Sequence, residues 1–146
     1  MKGSATFELL FSWQPEAEID HQMHCSKVFN ALSKTRMKFS QQYGIKYRPL
    51  LQRYLEVRFV NNGFPRFPYA DNQVAAFLIN IFPFILVNTL LWMRSESGTI
   101  TDDEVIDIIH RVERAIGHSS FTTDFLEQYE EFFHLDSYAA SFLEIC

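Results

Sequence analysis

Residues 74 to 93 read Val74-Ala75-Ala76-Phe77-Leu78-Ile79-Asn80-Ile81-Phe82-Pro83-Phe84-Ile85-Leu86-Val87-Asn88-Thr89-Leu90-Leu91-Trp92-Met93, and no charged side chain lies between Asp71 and Arg94. As a helix this stretch is about 30 Å long, enough to cross a bilayer or to run through the middle of a small domain. Asn80, Pro83, Asn88 and Thr89 decide between the two. The polar groups among them need partners that lipid does not offer and surrounding helices do. A helix apolar on nearly every side belongs in a core when amphipathic neighbours are available to cover it. The expectation is a central core helix over 72–94, with Asp71 as its N-cap and a kink at Pro83, where one backbone bond is lost.

Amphipathic neighbours are plentiful. Upstream, a helical pattern runs from Glu16 to Gly44, with Val28, Phe29, Leu32, Arg36, Phe39 and Tyr43 on one side. Gly44 reads as its stop, and a new helix starts near Pro49, which suits a first helical turn. Leu50, Leu51, Tyr54, Leu55, Arg58, Phe59 and Asn62 form that second stripe, broken by Asn62-Gly63 before the connector Phe64-Pro65-Arg66-Phe67-Pro68. Arg58 falls on the apolar side of its helix, so it needs an anionic partner, expected from residues 102 to 131.

Downstream, Ser95 to Thr99 is a loop. Thr101-Asp102-Asp103-Glu104 is a capping box, opening a helix with Val105, Ile108, Ile109, Val112 and Ile116 at 3.6-residue periodicity until Gly117. Another helix is expected from Thr122 or Thr123, burying Phe125, Leu126, Tyr129, Phe132 and Phe133, and a last turn or two from Asp136 through Leu143. No alternating run suggests a strand and no segment repeats. These readings add up to an all-α, single-domain helical bundle over 1–146, with about five to six helices around the apolar one. Residues 1–15, with Phe7, Leu9, Leu10, Phe11 and Trp13, are expected to form a short helix or an apolar arm docked onto the body.

Composition bounds the function. The 146 residues can bury a core without disulfides, and Cys25 and Cys146 make no disulfide framework. Glu8 interrupts any signal-peptide core, so a reduced, cytoplasmic setting is expected. The net charge of −5 conceals an uneven layout: residues 27 to 66 hold nine Lys and Arg against Glu56 alone, while residues 67 to 146 hold three Arg against thirteen acids. Either the basic segment is a binding face or the two form an internal ion-pair layer. Its cations look scattered rather than striped, which argues against nucleic acid.

The candidate chemistry is thin. His21, His24 and Cys25 have helical spacing for one metal ion, but a fourth ligand is missing and a solvated face with Cys25 turned inward explains them as well. His110 and His118 near a helix C-terminus gain from its dipole without any catalytic role. Asp102, Asp103, Glu104 and Asp107 suit helix capping better than a divalent ion. There is no phosphate loop and no nucleophile signature.

The stretch Arg53-Tyr54-Leu55-Glu56-Val57-Arg58-Phe59-Val60-Asn61-Asn62-Gly63-Phe64-Pro65 resembles a motif in the C-terminal region of the flagellin lysine-N-methylase (FliB) family, where a helix with an Asn-Tyr-Leu core enters an aromatic-Pro turn. Tyr54, Leu55, Asn62, Phe64 and Pro65 match it. The long apolar helix after the turn, the capped helix ending near His118 and the closing Asp136-Ser137-Tyr138-Ala139-Ala140 are similar too, so the likeness covers residues 40 to 146. Gln52-Arg53 stands where the family usually has Glu-Asn. The family's cysteine-rich N-terminal part binds an iron–sulfur cluster, which needs about four thiolates, and this chain has two cysteines. The resemblance therefore implies the C-terminal helical portion alone. For the full-length family it implies S-adenosylmethionine, an iron–sulfur cluster and methyl transfer to flagellin lysines, with no cofactor and no catalysis expected in this chain itself.

Two kinds of role follow, with a membrane-associated protein using residues 74 to 93 as a third reading. One is a helical accessory domain of such a methylase, partnered by flagellin or by the catalytic region. The other is a stand-alone ligand-binding or protein-interaction module with a pocket beside Pro83. The candidate binding surface is Tyr54, Arg58, Phe64, Arg66 and His118, although Tyr54 and Phe64 also read as core aromatics. No nucleic acid and no membrane partner is expected, and the oligomeric state stays open.

Overall fold

A computed structural model describes Ala5, residues 18–64 and residues 73–117. The described residues contain no strand. Beyond the isolated helical Ala5, they form α1 (Glu18–Asn61), α2 (Gln73–Glu96) and α3 (Asp102–Gly117). The all-α expectation holds. Apart from Ala5, the arm at 1–15 lies outside the described residues, as do the N-cap at Asp71 and the helices expected from Thr122 and from Asp136.

The chief correction concerns α1. Its 44 residues run without interruption through Gly44 and Pro49, where a stop and a fresh start were expected. The reason is visible in which side of the helix is held. Phe39, Tyr43, Tyr47 and Leu51 follow one another at four-residue intervals, and Phe39, Tyr47 and Leu51 are buried. Tyr43 lies tilted against Phe39 at 5.6 Å and stacks on Tyr47 at 6.0 Å. This ladder carries the helix past the glycine, and tertiary packing outweighs the roughly 1 kcal/mol propensity deficit of Gly. Pro49 withholds the N–H that would bond the carbonyl of Ile45. Ile45 is 97% exposed, so water can take over that carbonyl.

From Met23 onward, the first buried residue of α1 is Thr35. Phase alone therefore does not bury the earlier members of the expected apolar stripe: Phe29 is 60% exposed. Cys25, expected to turn inward, is exposed for the same reason. At the other end the helix closes in a Schellman turn. Phe64 N–H reaches the Phe59 carbonyl at 3.1 Å and Gly63 N–H the Val60 carbonyl at 3.1 Å. Gly63 adopts φ 68°, the left-handed conformation this turn requires.

The chain divides into two compact units, Met1–Leu50 with Leu86–His110 and Leu51–Ile85 with Arg111–Cys146. In the first, the core is built from Phe39, Tyr47, Val87, Leu91, Ile100 and Val105, with Val87, Leu91 and Val105 fully buried. In the second it holds Leu51, Ile79, Ile81, Pro83 and Val112 together with the polar Arg58 and Asn80.

Helix α2 runs unbroken across the fully buried Pro83. Its segment Phe77–Glu96 is long and apolar enough to span a bilayer by length and composition, with mean hydropathy 1.6, and 39% of it is buried within the protein. The loop after it turns at Gly98, whose φ of 134° favours glycine. Helix α3 starts with the expected capping box. Thr101 N–H donates to Glu104 Oε2 at 2.9 Å, and Glu104 N–H donates to Thr101 Oγ1 at 3.3 Å.

Candidate functional site

Four residues of the second unit converge on Arg58. It sits one turn after Tyr54 on α1, the phase that also puts Leu51 in the core. Its side chain is 10% exposed. The guanidinium donates through Nε to the Asn80 carbonyl at 3.3 Å, through Nη2 to the Ile79 carbonyl at 3.3 Å and through Nη1 to Glu113 of α3. Glu113 lies inside the 102–131 segment from which the partner was expected. Tyr54 donates its hydroxyl to the same Glu113 oxygen. Nearby, Asn62 Nδ2 donates to Asn80 Oδ1 at 2.7 Å, so the fully buried amide of α2 is bonded as a core polar group must be.

The electrostatics follow from this enclosure. Burial pushes the Tyr54 phenol well above its ordinary value, and the hydrogen bond to Glu113 and that carboxylate's charge raise it further. Tyr54 is therefore a fixed donor at neutral pH, and Glu113 accepts from both Tyr54 and Arg58. The arrangement holds α1, α2 and α3 together within this unit. It has no nucleophile and leaves Arg58 little surface on which to bind an added anion.

Beside it, Phe59, Phe64 and Phe77 meet edge to face or tilted, with centroids 4.9 Å apart for Phe59 and Phe64, 5.8 Å for Phe59 and Phe77, and 6.4 Å for Phe64 and Phe77. Phe64, read as core, keeps 38% of its surface exposed, because it lies in the turn just beyond the helix end. Of the candidate surface, then, Tyr54 and Arg58 share one network and Phe64 borders the same unit. Arg66 and His118 lie outside the described residues.

A second network in the first unit escaped sequence reasoning. Tyr47 donates to Asp102 Oδ1 at 2.8 Å and lies 3.3 Å from the Ile100 carbonyl, while Ile100 N–H donates to the Tyr43 hydroxyl at 3.2 Å. Lys46 bonds Asp102 at 2.5 Å and lies 4.9 Å from the Tyr47 ring centroid. Those contacts raise the Lys46 ammonium and lower the Asp102 carboxyl, in each case chiefly through the bond between the two, and burial raises Tyr47. Arg94 reaches Glu104 at 2.5 Å and the Thr99 carbonyl at 3.4 Å. Glu104 is lowered first by its bond from the Thr101 backbone and then by Arg94. The signal available in the sequence was the four-residue run Tyr43, Tyr47, Leu51, which a break at Gly44 conceals.

Among the described residues no group of three or more His, Cys, Asp and Glu side chains could hold an ion. His24 is half-buried and Cys25 exposed on the first part of α1, which also contains His21; His110 is exposed. Asp102 and Glu104 are engaged with Lys46, Tyr47, Arg94 and the helix start, as capping predicts. A cluster needing four thiolates does not fit a chain with two cysteines.

No curated protein and no solved structure gives a match to the chain. A family model described as the FliB lysine N-methylase C-terminal domain matches residues 11–141. That range takes in all of α1, α2 and α3 with the Arg58–Glu113 network, and the chain belongs to the FliB lysine N-methylase C-terminal domain family.

Proposed function

We propose that this chain is a helical accessory domain of a flagellin lysine-N-methylase, which either supports the catalytic part or docks its flagellin substrate. The observation that carries the reading is the family match over residues 11–141. The character of the Arg58 network agrees with it: its hydrogen bonds join three helices and leave no reacting group. Methyl transfer from S-adenosylmethionine and any iron–sulfur cluster belong in this reading to the cysteine-rich part of the methylase. The domain works in the cytoplasm, and neither nucleic acid nor a membrane is its partner.

Titration calorimetry tests this with the pure chain in the cell and three separate injectants. They are S-adenosylmethionine, flagellin, and the cysteine-rich portion of a FliB methylase produced on its own. Saturable heat is expected from flagellin or from the cysteine-rich portion, and none from S-adenosylmethionine alone. Silence with both proteins overturns the accessory role, and heat from S-adenosylmethionine alone overturns the assignment of the cofactor to the other part.

A further inference from the structure

The unbroken course of α1 rearranges its cations. With the phase carried through Gly44 and Pro49, Lys27, Lys34, Gln41 and Arg48 recur every seven residues. Met23, Asn30, Met37 and Gly44 recur at the same interval, four residues before each of them. The two series interleave as a continuous seam of alternating four- and three-residue steps, about 38 Å long at 1.5 Å per residue. Every member is exposed except the half-buried Gly44. Lys38 and the 97%-exposed Ile45 flank it. At about 100° per residue, the seam from Met23 to Gln41 faces away from the buried Thr35 and Phe39, while Gly44 and Arg48 lie at its edge, nearer the buried Tyr47.

Among the described residues no carboxylate pairs with this face. No acid occurs in the sequence between Asp20 and Glu56. The ion pairs of the neighbourhood engage Lys46 with Asp102 and Arg53 with Glu56, while Lys27, Lys34, Lys38 and Arg48 take part in none among the described residues. A seven-residue repeat is the spacing at which two helices remain in contact when they wind about each other. A nucleic-acid backbone has no use for Met23 and Met37 within the seam. A lipid interface needs a broad apolar face, and this one carries Asn30 and Gln41 between its cations.

We propose that residues 23–48 of α1 dock an acidic amphipathic helix of a partner protein, with Lys27, Lys34 and Arg48 pairing with its carboxylates and Met23 and Met37 meeting its apolar residues. The carboxylates must recur every seven residues over three to four heptads. At the seam's edge Gly44 adds no side chain, and a Cβ there would meet, among the described residues, only Ser40 of its own helix.

The test is fluorescence anisotropy of a labelled four-heptad peptide carrying Leu and Glu along its seam, titrated with the chain. A peptide with Lys in place of each Glu, a DNA duplex and phosphatidylserine vesicles serve as parallel probes. The acidic peptide is expected to bind and to weaken as salt rises. The Lys27→Glu/Lys34→Glu/Arg48→Glu variant, with helix content checked by circular dichroism, should bind at least tenfold more weakly, since exposed pairs contribute modestly and reversal makes each repulsive. If that variant misfolds, the Gln series replaces it. Equal binding of the lysine peptide, unchanged affinity in the variant, or binding of DNA or vesicles without the acidic peptide would each overturn the proposal. Neither flagellin nor a methylase enters this test, so its outcome is separate from that of the accessory-domain reading.

Discussion

Arg58 and Glu113 form the most enclosed ion pair among the described residues, with the guanidinium side chain 10% exposed and the carboxylate 40%. The Arg is the costly member to leave unmatched, and it is matched on every side: a carboxylate on one nitrogen and two α2 carbonyls on the others. Such a group rigidifies a core only while it is complete.

Removing Arg58 should therefore be among the most damaging single changes. Arg58→Met leaves two carbonyls and Glu113 without their donor, an expected loss of about 2–3 kcal/mol, below the range for fully buried pairs because Glu113 is partly solvated. Arg58→Lys should lose less, and Arg58→Met combined with Glu113→Gln less than the sum of the two single changes. Urea unfolding of the four proteins checks this. Additive losses would show that the two side chains do not act together.

Alkaline pH should destabilise the protein for a nameable reason. Tyr54, Tyr47 and Lys46 all have folded values raised above their ordinary ones of 10.0, 10.0 and 10.5. The folded state then holds protons that the unfolded state has begun to release, and stability, complete below pH 10, falls as pH climbs past it. Phenolate absorbance should show at least one tyrosine ionising only on unfolding, and Tyr54→Phe should remove that late component.

Acid acts through the opposite sign. Asp102 and Glu104 are lowered from 3.8 and 4.5, so their contribution is present above those values and lost as pH falls through and below them. Asp102→Asn with Glu104→Gln should flatten the acid limb of a thermal-stability profile while leaving the alkaline limb in place. A profile unchanged below pH 5 would count against these pairs.

Substitutions at the two interruptions of α1 test its continuity. Gly44→Ala should stabilise by about 0.5–1 kcal/mol, since a Cβ there would meet Ser40 Oγ at an ordinary 3.4 Å. Pro49→Ala restores a donor for the Ile45 carbonyl and should add about 1 kcal/mol or more. Were the helix divided at these positions, neither change would raise the midpoint of a chemical melt.

Those two positions also mark where the chain was hard to read. Gly44 and Pro49 are strong local signals, and locally the stop and restart were sound. What overrode them was the four-residue ladder Phe39, Tyr43, Tyr47 and Leu51, a packing effect that spans the supposed break. With a break at Gly44 the cations look scattered, because Arg48 then has no fixed phase with Lys27 and Lys34. The capping box at Thr101, the stop at Asn62-Gly63 and the Arg58 partner segment were legible because each depends on a few neighbouring residues or on one unavoidable charge. Tyr47 meeting Asp102 was not, since nothing local links residues 55 positions apart. Phe29 looked core-facing by phase, and its exposure depended on where the covering helices reach.

The short link from α2 to α3 is exposed over Ser97 to Thr99, and exposed links are where a chain ordinarily accepts extra residues. This one is tethered along its course: Ser97 to Arg94, Thr99 to Arg94, Ile100 to Tyr43 and Tyr47, Thr101 to Glu104. One added amino acid would pull several of these anchors out of reach at once. A tag or fusion partner spliced into this corner should cost the protein its folding, however accessible the site looks.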